Sequence, residues 1–125
     1  MNKIEELFVI LENRPKALGE LLHLFAKEKI EIETIGVFTD SAKLIVAEMD
    51  KAQKVLQQNN YSFETRGILR TTIKNKTKEL ANIMERIGHV GINIYHVYGT
   101  TKPGEKQITL LLDVSDVDTV LSLFQ

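Results

Sequence analysis

Cysteine is absent from the 125 residues, which removes disulfides, thiol nucleophiles and thiolate metal sites together. Charge of one sign is missing as well: 16 Lys and Arg stand against 17 Asp and Glu, interspersed, for a net charge of −1. No basic stripe is available to neutralise a nucleic-acid backbone, and there is no acidic tail. Long apolar runs are lacking too. Leu7 to Leu11 is flanked by Glu residues and is too short for a signal sequence, and no stretch approaches membrane-spanning length. What is left is the composition of an ordinary globular protein, expected in the cytoplasm and long enough for one ordinary domain or two very small ones.

Within that composition the informative stretch is Asn13-Arg14-Pro15-Lys16-Ala17-Leu18, where a strand passes into a helix. Glu5 to Glu12 is apolar on both alternating sets, as a strand covered on both faces must be. Leu18, Leu21, Leu22 and Phe25 recur at helical spacing, so a helix is expected from about Pro15 to Lys29. Asn13 is expected to cap it with its side-chain oxygen, and Pro15 suits the first turn. The N–H groups of Lys16, Ala17 and Leu18 are then expected to point out unpaired, a place for a small carboxylate or phosphate.

Further along, Glu31 to Thr39 and Ala42 to Met49 read as strands joined by a tight turn at Asp40-Ser41. Asp50 to Gln58 reads as a short helix ended by Asn59-Asn60. Tyr61 to Lys74 is β-prone around a single Gly67, read as two strands meeting there and as the seam between domains 1–66 and 67–125. After the seam the pattern restarts. Leu80, Ile83, Met84 and Ile87 lie 62 positions after Leu18, Leu21, Leu22 and Phe25, and Asn75 lies 62 after Asn13. With three extra residues at the second hairpin, Val117, Val120 and Leu121 fall 65 after Ala52, Val55 and Leu56. This is a duplicated strand–helix–strand–strand–helix unit. The first copy adds a closing strand around Ser62 to Arg66, and the second is one strand short.

The fold class expected is therefore α+β: two tandem ferredoxin-like βαββαβ units, antiparallel sheets with helices on one face, the second lacking its last strand. Units of roughly 60 residues are marginal alone, so sheet-to-sheet or edge-to-edge association, within and between chains, is expected. The missing strand leaves the edge at Ile68 to Ile73 to be covered by a partner chain or by Ser62 to Arg66.

The run Phe8 to Leu18 resembles the opening of an ACT domain, whose strand ends in Asn-Arg-Pro-Gly-x-Leu, and Gly91-Ile92-Asn93-Ile94 resembles the family's other recurrent signature. The resemblance covers the whole chain as two copies. It implies a non-catalytic regulatory protein that binds a free amino acid at domain interfaces, without cofactor or metal, as a homodimer serving a partner enzyme or regulator. Carried over by motif, the ligand-binding residues are Asn13, Arg14, Pro15, Lys16, Ala17, Leu18 and Glu31 in copy one, and Asn75 to Leu80 with Asn93 in copy two. Lys16 departs from the family's Gly, and Thr77-Lys78 replaces Pro-Gly. Each copy keeps one good half, so a hybrid site of Asn13 to Leu18 with Asn93 is a further expectation. The alternative is a ligand-free interaction or dimerisation module regulating a partner enzyme.

Of the three histidines, His23 and His89 read as solvated or half-buried. His96, following Asn93 on its strand, is a candidate to line the pocket. Tyr95 and Tyr98 lack the basic aromatic cluster of an RNA-binding sheet. The 99–104 stretch lacks the ending of a phosphate loop and reads as a hairpin turn. Asp116 and Asp118 read as first-turn acids after a Ser115 cap rather than a cation site with Asp113. No nucleophile, base and oxyanion donors converge. An acylphosphatase-like enzyme would need glycines around Arg14 that are not there.

Overall fold

The computed structural model describes residues 1–100 and 102–125. In chain order the elements are β1 (Asn2–Ile10), α1 (Ala17–Lys27), β2 (Ile32–Phe38), β3 (Ser41–Val46), α2 (Met49–Gln58), β4 (Phe63–Lys74), α3 (Thr77–His89), β5 (Ile94–Thr100), β6 (Gln107–Val114) and α4 (Val117–Leu123). Among the described residues the protein is α+β, with six strands and four helices. No described helix is long and apolar enough to cross a membrane. The chain divides into two compact units, Glu5–Arg66 and Gly67–Gln125, the latter joined by Met1–Ile4.

In the Glu5–Arg66 unit the strand order is β2-β3-β1-β4. β1 and β2 both run antiparallel to β3, with Leu7 and Ile35 opposite Leu44 and Val9 and Val37 opposite Ala42. Directly opposed residues share a face. That face carries Leu7, Val9, Ala42 and Leu44 into one core with Leu21 and Phe25 of α1 and Ala52, Val55 and Leu56 of α2. Each fully buried Leu or Phe contributes about 1.5–3 kcal/mol. Such packing sustains α1, whose 11 residues would be marginal as an isolated helix.

The opposite face is buried as well, since β3 is buried at all six positions. There Glu6 and Lys43 are both 0% exposed, with Lys43 Nζ 3.8 Å from Glu6 Oε1. The ammonium also lies 5.5 Å from the Phe8 ring centre and 6.0 Å from that of Phe38. The Arg66 guanidinium stands 5.6 Å from the Phe8 ring.

In the other unit the order is β1-β4-β6-β5, with Leu69 and Val97 both opposite Leu112. Its core gathers Leu69, Ile87, Ile92, Leu112, Val114 and Val120, with Met1 packed against it. The β4 edge expected to need a partner chain or Ser62 to Arg66 is instead taken by the first residues of β1. Lys3 Cε would stand 3.0 Å from a Cβ on Gly67. Asn2-Lys3-Ile4 has one apolar residue among polar ones and shows no strand period, so the segment is silent in the sequence.

Two further expectations are corrected. β4 is one strand of 12 residues through Gly67, not two meeting there. β-branched Ile68, Thr71, Thr72 and Ile73 on one side and Phe63 and Thr65 on the other hold it extended. The repeat offset also changes. Ile32 pairs with Val46 and Ile94 with Val114, so an offset of 62 at β2 and β5 becomes 68 at β3 and β6, not 65. Val117 and Val120 therefore correspond to Met49 and Ala52. The extra residues lengthen the second hairpin, where Pro103 and Gly104 turn the chain and Gly104 takes φ 88°. Thr101 of the turn expected at 99–104 lies outside the described residues.

The buried ion pair gives a direct test. Lys43→Ala should destabilise the protein by about 3–5 kcal/mol, because the Glu6 carboxylate stays buried without that cation. Replacing both, Glu6→Leu with Lys43→Met, should recover most of the loss. Urea unfolding of the native chain and the two variants measures it.

Candidate functional site

The end of β1 is held by the Glu5–Arg66 unit itself: Ile10 N–H donates to the Ser62 carbonyl and Leu11 N–H to the Asp40 carbonyl, both at 2.9 Å. From that anchored end the exposed residues Asn13 to Lys16 lead into α1. Asn13 does not cap the helix. The N-cap is Lys16, which accepts the Glu20 N–H through its carbonyl at 2.9 Å and sits in the left-handed region at φ 75° without a side-chain cap bond. Pro15 thus precedes the helix, and Ala17 N–H is not unpaired but donates to the Arg14 carbonyl at 3.3 Å. A Gly would occupy position 16 without strain.

A groove of about 1060 Å³ opens beside this loop, within the unit. Of the expected ligand residues, Arg14, Lys16 and Ala17 line it; Asn13, Pro15, Leu18 and Glu31 do not. Gly19, Glu20, His23, Asn60 and Tyr61 line it without having been expected as ligand residues, His23 having been read as solvated or half-buried. Glu20 and His23 occupy the helix face left over once Leu21 and Phe25 are assigned to the core. The Asn59-Asn60 corner had shown itself only as a helix stop.

Arg14 organises the groove's charge. Its Nη2 and Nη1 donate to the two Glu20 carboxylate oxygens at 2.8 and 3.3 Å, and its Nε to Glu12 at 2.7 Å. Nη1 also donates to the Pro15 carbonyl at 3.2 Å. This is a two-pronged, charge-assisted pairing. Hydrogen bonding to Glu20, then to Glu12, raises the Arg14 pKa above its already high ordinary value. The same bond from Arg14 lowers the Glu20 carboxyl. Burial, and then the Glu20 charge, raise the Tyr61 phenol, with Arg14 opposing.

The corresponding loop of the other unit is built differently. α3 begins at Thr77, two residues earlier in the repeat than α1, after Lys76 in extended backbone. Asn75 donates its side-chain amide to the Glu105 carbonyl at 2.9 Å and its N–H to the Lys106 carbonyl, fastening the loop to the second hairpin. Asn93 is exposed and its N–H donates to the Ser115 hydroxyl at 3.0 Å. Ser115 is therefore not the α4 cap. Asp116 is, accepting from Thr119 N–H at 3.1 Å. His96 is half-buried opposite Asp113 on β6. No group of three His, Asp or Glu able to hold a metal ion is found among the described residues.

No protein-family model matches the chain, and no curated protein is similar to it in sequence. Solved structures are similar in fold. Protein BT0572 from Bacteroides thetaiotaomicron superposes with a TM-score of 0.84 at 22% identity, over 98% of this chain and 86% of that one. The regulatory subunit of aspartate kinase from Thermus flavus gives 0.63 at 15% identity over 99% and 96%. Aspartokinase III of E. coli, in complex with lysine and aspartate, gives 0.61 at 15% identity over 98% of this chain and 30% of its own. What this chain shares with these three structures is its α+β fold.

Two outcomes test the loop. Lys16→Gly should stabilise the protein by up to about 1 kcal/mol by relieving the left-handed backbone, read from thermal melts. In Arg14→Ala the Glu20 carboxyl should titrate higher, towards its ordinary range, and the Tyr61 phenol higher still than in the native chain; Glu20→Gln should lower the phenol. Since Glu20 is depressed in the folded state, its contribution to stability is present above the ordinary carboxylate range and is lost as pH falls through its folded value. NMR and ultraviolet titrations follow both groups.

Proposed function

We propose that this chain is a non-catalytic regulatory protein of the ACT type that binds a free amino acid through the Asn13 to Leu18 loop. The observation that carries the reading is the groove opening on that loop, with the charged pair Arg14 and Glu20 in its wall. An α-amino acid needs a cation for its carboxylate and an acceptor for its ammonium, and both stand there. The tandem arrangement, domains 1–66 and 67–125, is part of the proposal, and so is a cytoplasmic location. Asn75, Asn93 and His96 in the second unit, with Glu31 in the first, are secondary candidates; their substitution tests whether another binding event exists.

A second copy of the chain is the proposed structural partner. β2 is an edge strand of its unit and exposes Ile35, Val37 and Phe38 by 40–45%. Apolar edges of this kind are ordinarily covered. The same edge favours the rival reading, a dimerisation module without ligand that acts on a partner enzyme. A thermal-shift screen against the twenty amino acids, with light scattering alongside, decides between them. A rise in melting temperature with one or two amino acids, lost in Arg14→Ala, is the expected result. A flat response from a stable dimer would replace it with the interaction module.

A further inference from the structure

The two units fill the same four places around the strand–helix loop with different charges. In the Glu5–Arg66 unit the places hold Glu12, Arg14, Lys16 and Glu20, and the two carboxylates pair with Arg14. Sixty-two positions further on they hold Lys74, Lys76, Lys78 and Asn82. Both carboxylates are gone, and a balanced set has become three cations. All three lysines are exposed, and none has a carboxylate partner among the described residues. Glu79 and Glu105, the nearest carboxylates along the chain, make no ion pair with them.

The fold brings two more cations to this end of the unit. Lys74 pairs with Gln107 on β6, and Asn75 bonds the carbonyls of Glu105 and Lys106, which places Lys106 beside the loop. Along β4, exposed Arg70, Thr72 and Lys74 alternate with buried Leu69, Thr71 and Ile73. Arg70 and Lys74 therefore share one uncovered face of the strand, about 13 Å apart. Arg70, Thr72 and Thr109 line a polar groove of about 500 Å³ on it. Arg14 and Arg66 hold carboxylates, and Arg86 holds the Leu123 carbonyl and the Phe124 ring. Arg70 is the arginine without a partner among the described residues. Like charges gathered in this way repel one another, and no carboxylate of the unit pairs with any of the five.

From this we infer that the end of the Gly67–Gln125 unit bearing Arg70, Lys74, Lys76, Lys78 and Lys106 is a docking surface for an acidic segment of a partner protein. Its span decides against a single small anion, since no one phosphate or carboxylate reaches cations about 13 Å apart. Its chemistry decides against nucleic acid. Four of the five are lysines, which lack the planar fork that suits phosphate. Neither segment, 70–78 nor 106–109, has an aromatic residue on which bases could stack. With these five of the 16 Lys and Arg set aside, the rest of the chain carries 11 cations against 17 Asp and Glu, a net −6. A long polyanion is repelled by that remainder; a short run of Asp and Glu meets the cations alone. The surface does not depend on the amino-acid-binding reading.

Fluorescence anisotropy with a labelled octaglutamate peptide at low salt tests it, on the native chain and two triple variants of equal net charge. Saturable binding that weakens as salt is raised is expected. It should be at least tenfold weaker in Lys74→Gln, Lys76→Gln, Lys106→Gln, and within twofold of native in Lys29→Gln, Lys51→Gln, Lys54→Gln. An oligothymidylate of the same charge should bind no tighter than the peptide. Equal losses in the two triple variants would reduce the effect to net charge and overturn the surface. Tighter binding of the oligothymidylate would replace the protein segment with nucleic acid. No binding of octaglutamate to the native chain would overturn the surface outright. Should the first triple variant fail to fold, Arg70→Gln with Lys78→Gln takes its place, and undiminished peptide binding there overturns the surface.

Discussion

The buried pair of Glu6 and Lys43 is the constraint from which the geometry of the Glu5–Arg66 unit follows. Two charges removed from water are tolerated only when held against each other, and here they are 3.8 Å apart at zero exposure. They sit on the face that also carries Phe8, opposite Lys43. A slip of β1 on β3 by one residue would turn Glu6 into the core with Leu21 and Phe25, away from Lys43, and turn Leu7 and Val9 out of it. The register is thus fixed twice, by what must be paired and by what must be dry. With it is fixed the point where β1 ends, and so the origin of the loop that bears Arg14.

The two units carry strand–helix loops of common sequence pattern, and local chemistry sets them apart. In the first, Pro15 cannot continue a strand hydrogen-bond ladder, and the helix waits until Ala17. In the second, Thr77 and Lys78 accept helical backbone, so α3 starts two residues sooner. Asn75, freed from any capping duty, reaches the carbonyl of Glu105 in the longer hairpin. The longer hairpin and the shorter loop are thus fastened to each other by the Asn75 hydrogen bonds.

What was legible in the sequence is what periodicity encodes. β2 and β5, α1 and α3, and the buried rows of β3 and β6 all announce themselves through apolar spacing. The α+β arrangement followed from those rows, and the resemblance to ACT domains from the strand–helix motif. Three things were not legible, for distinct reasons. Met1–Ile4 joins the other unit through backbone pairing, which leaves no mark on side-chain pattern. The 68-residue offset at β3 and β6 depends on register, and Val117 and Val120 match Ala52 and Val55 in type while matching Met49 and Ala52 in place. The groove is formed where α1 faces the Asn59 to Ser62 corner, so Glu20 and Tyr61, 41 positions apart in sequence, meet only once the chain is folded.

Backbone departures in this unit fall into two kinds, and the difference bears on function. Lys29 and Asn60 have positive φ, 58° and 62°, at positions just past the ends of α1 and α2, where a left-handed residue closes the last turn. They are explained by helix termination. Lys16 precedes a helix rather than following one, and Gly19 lies inside it; neither termination nor packing accounts for them. Together they forgo up to about 2 kcal/mol, against the 5–15 kcal/mol that holds an ordinary domain folded. Both line the same groove, three residues apart, beside a guanidinium that already carries two carboxylates. Local rules broken twice at one place, and kept through the rest of the helix, mark that place as the one shaped by something other than stability.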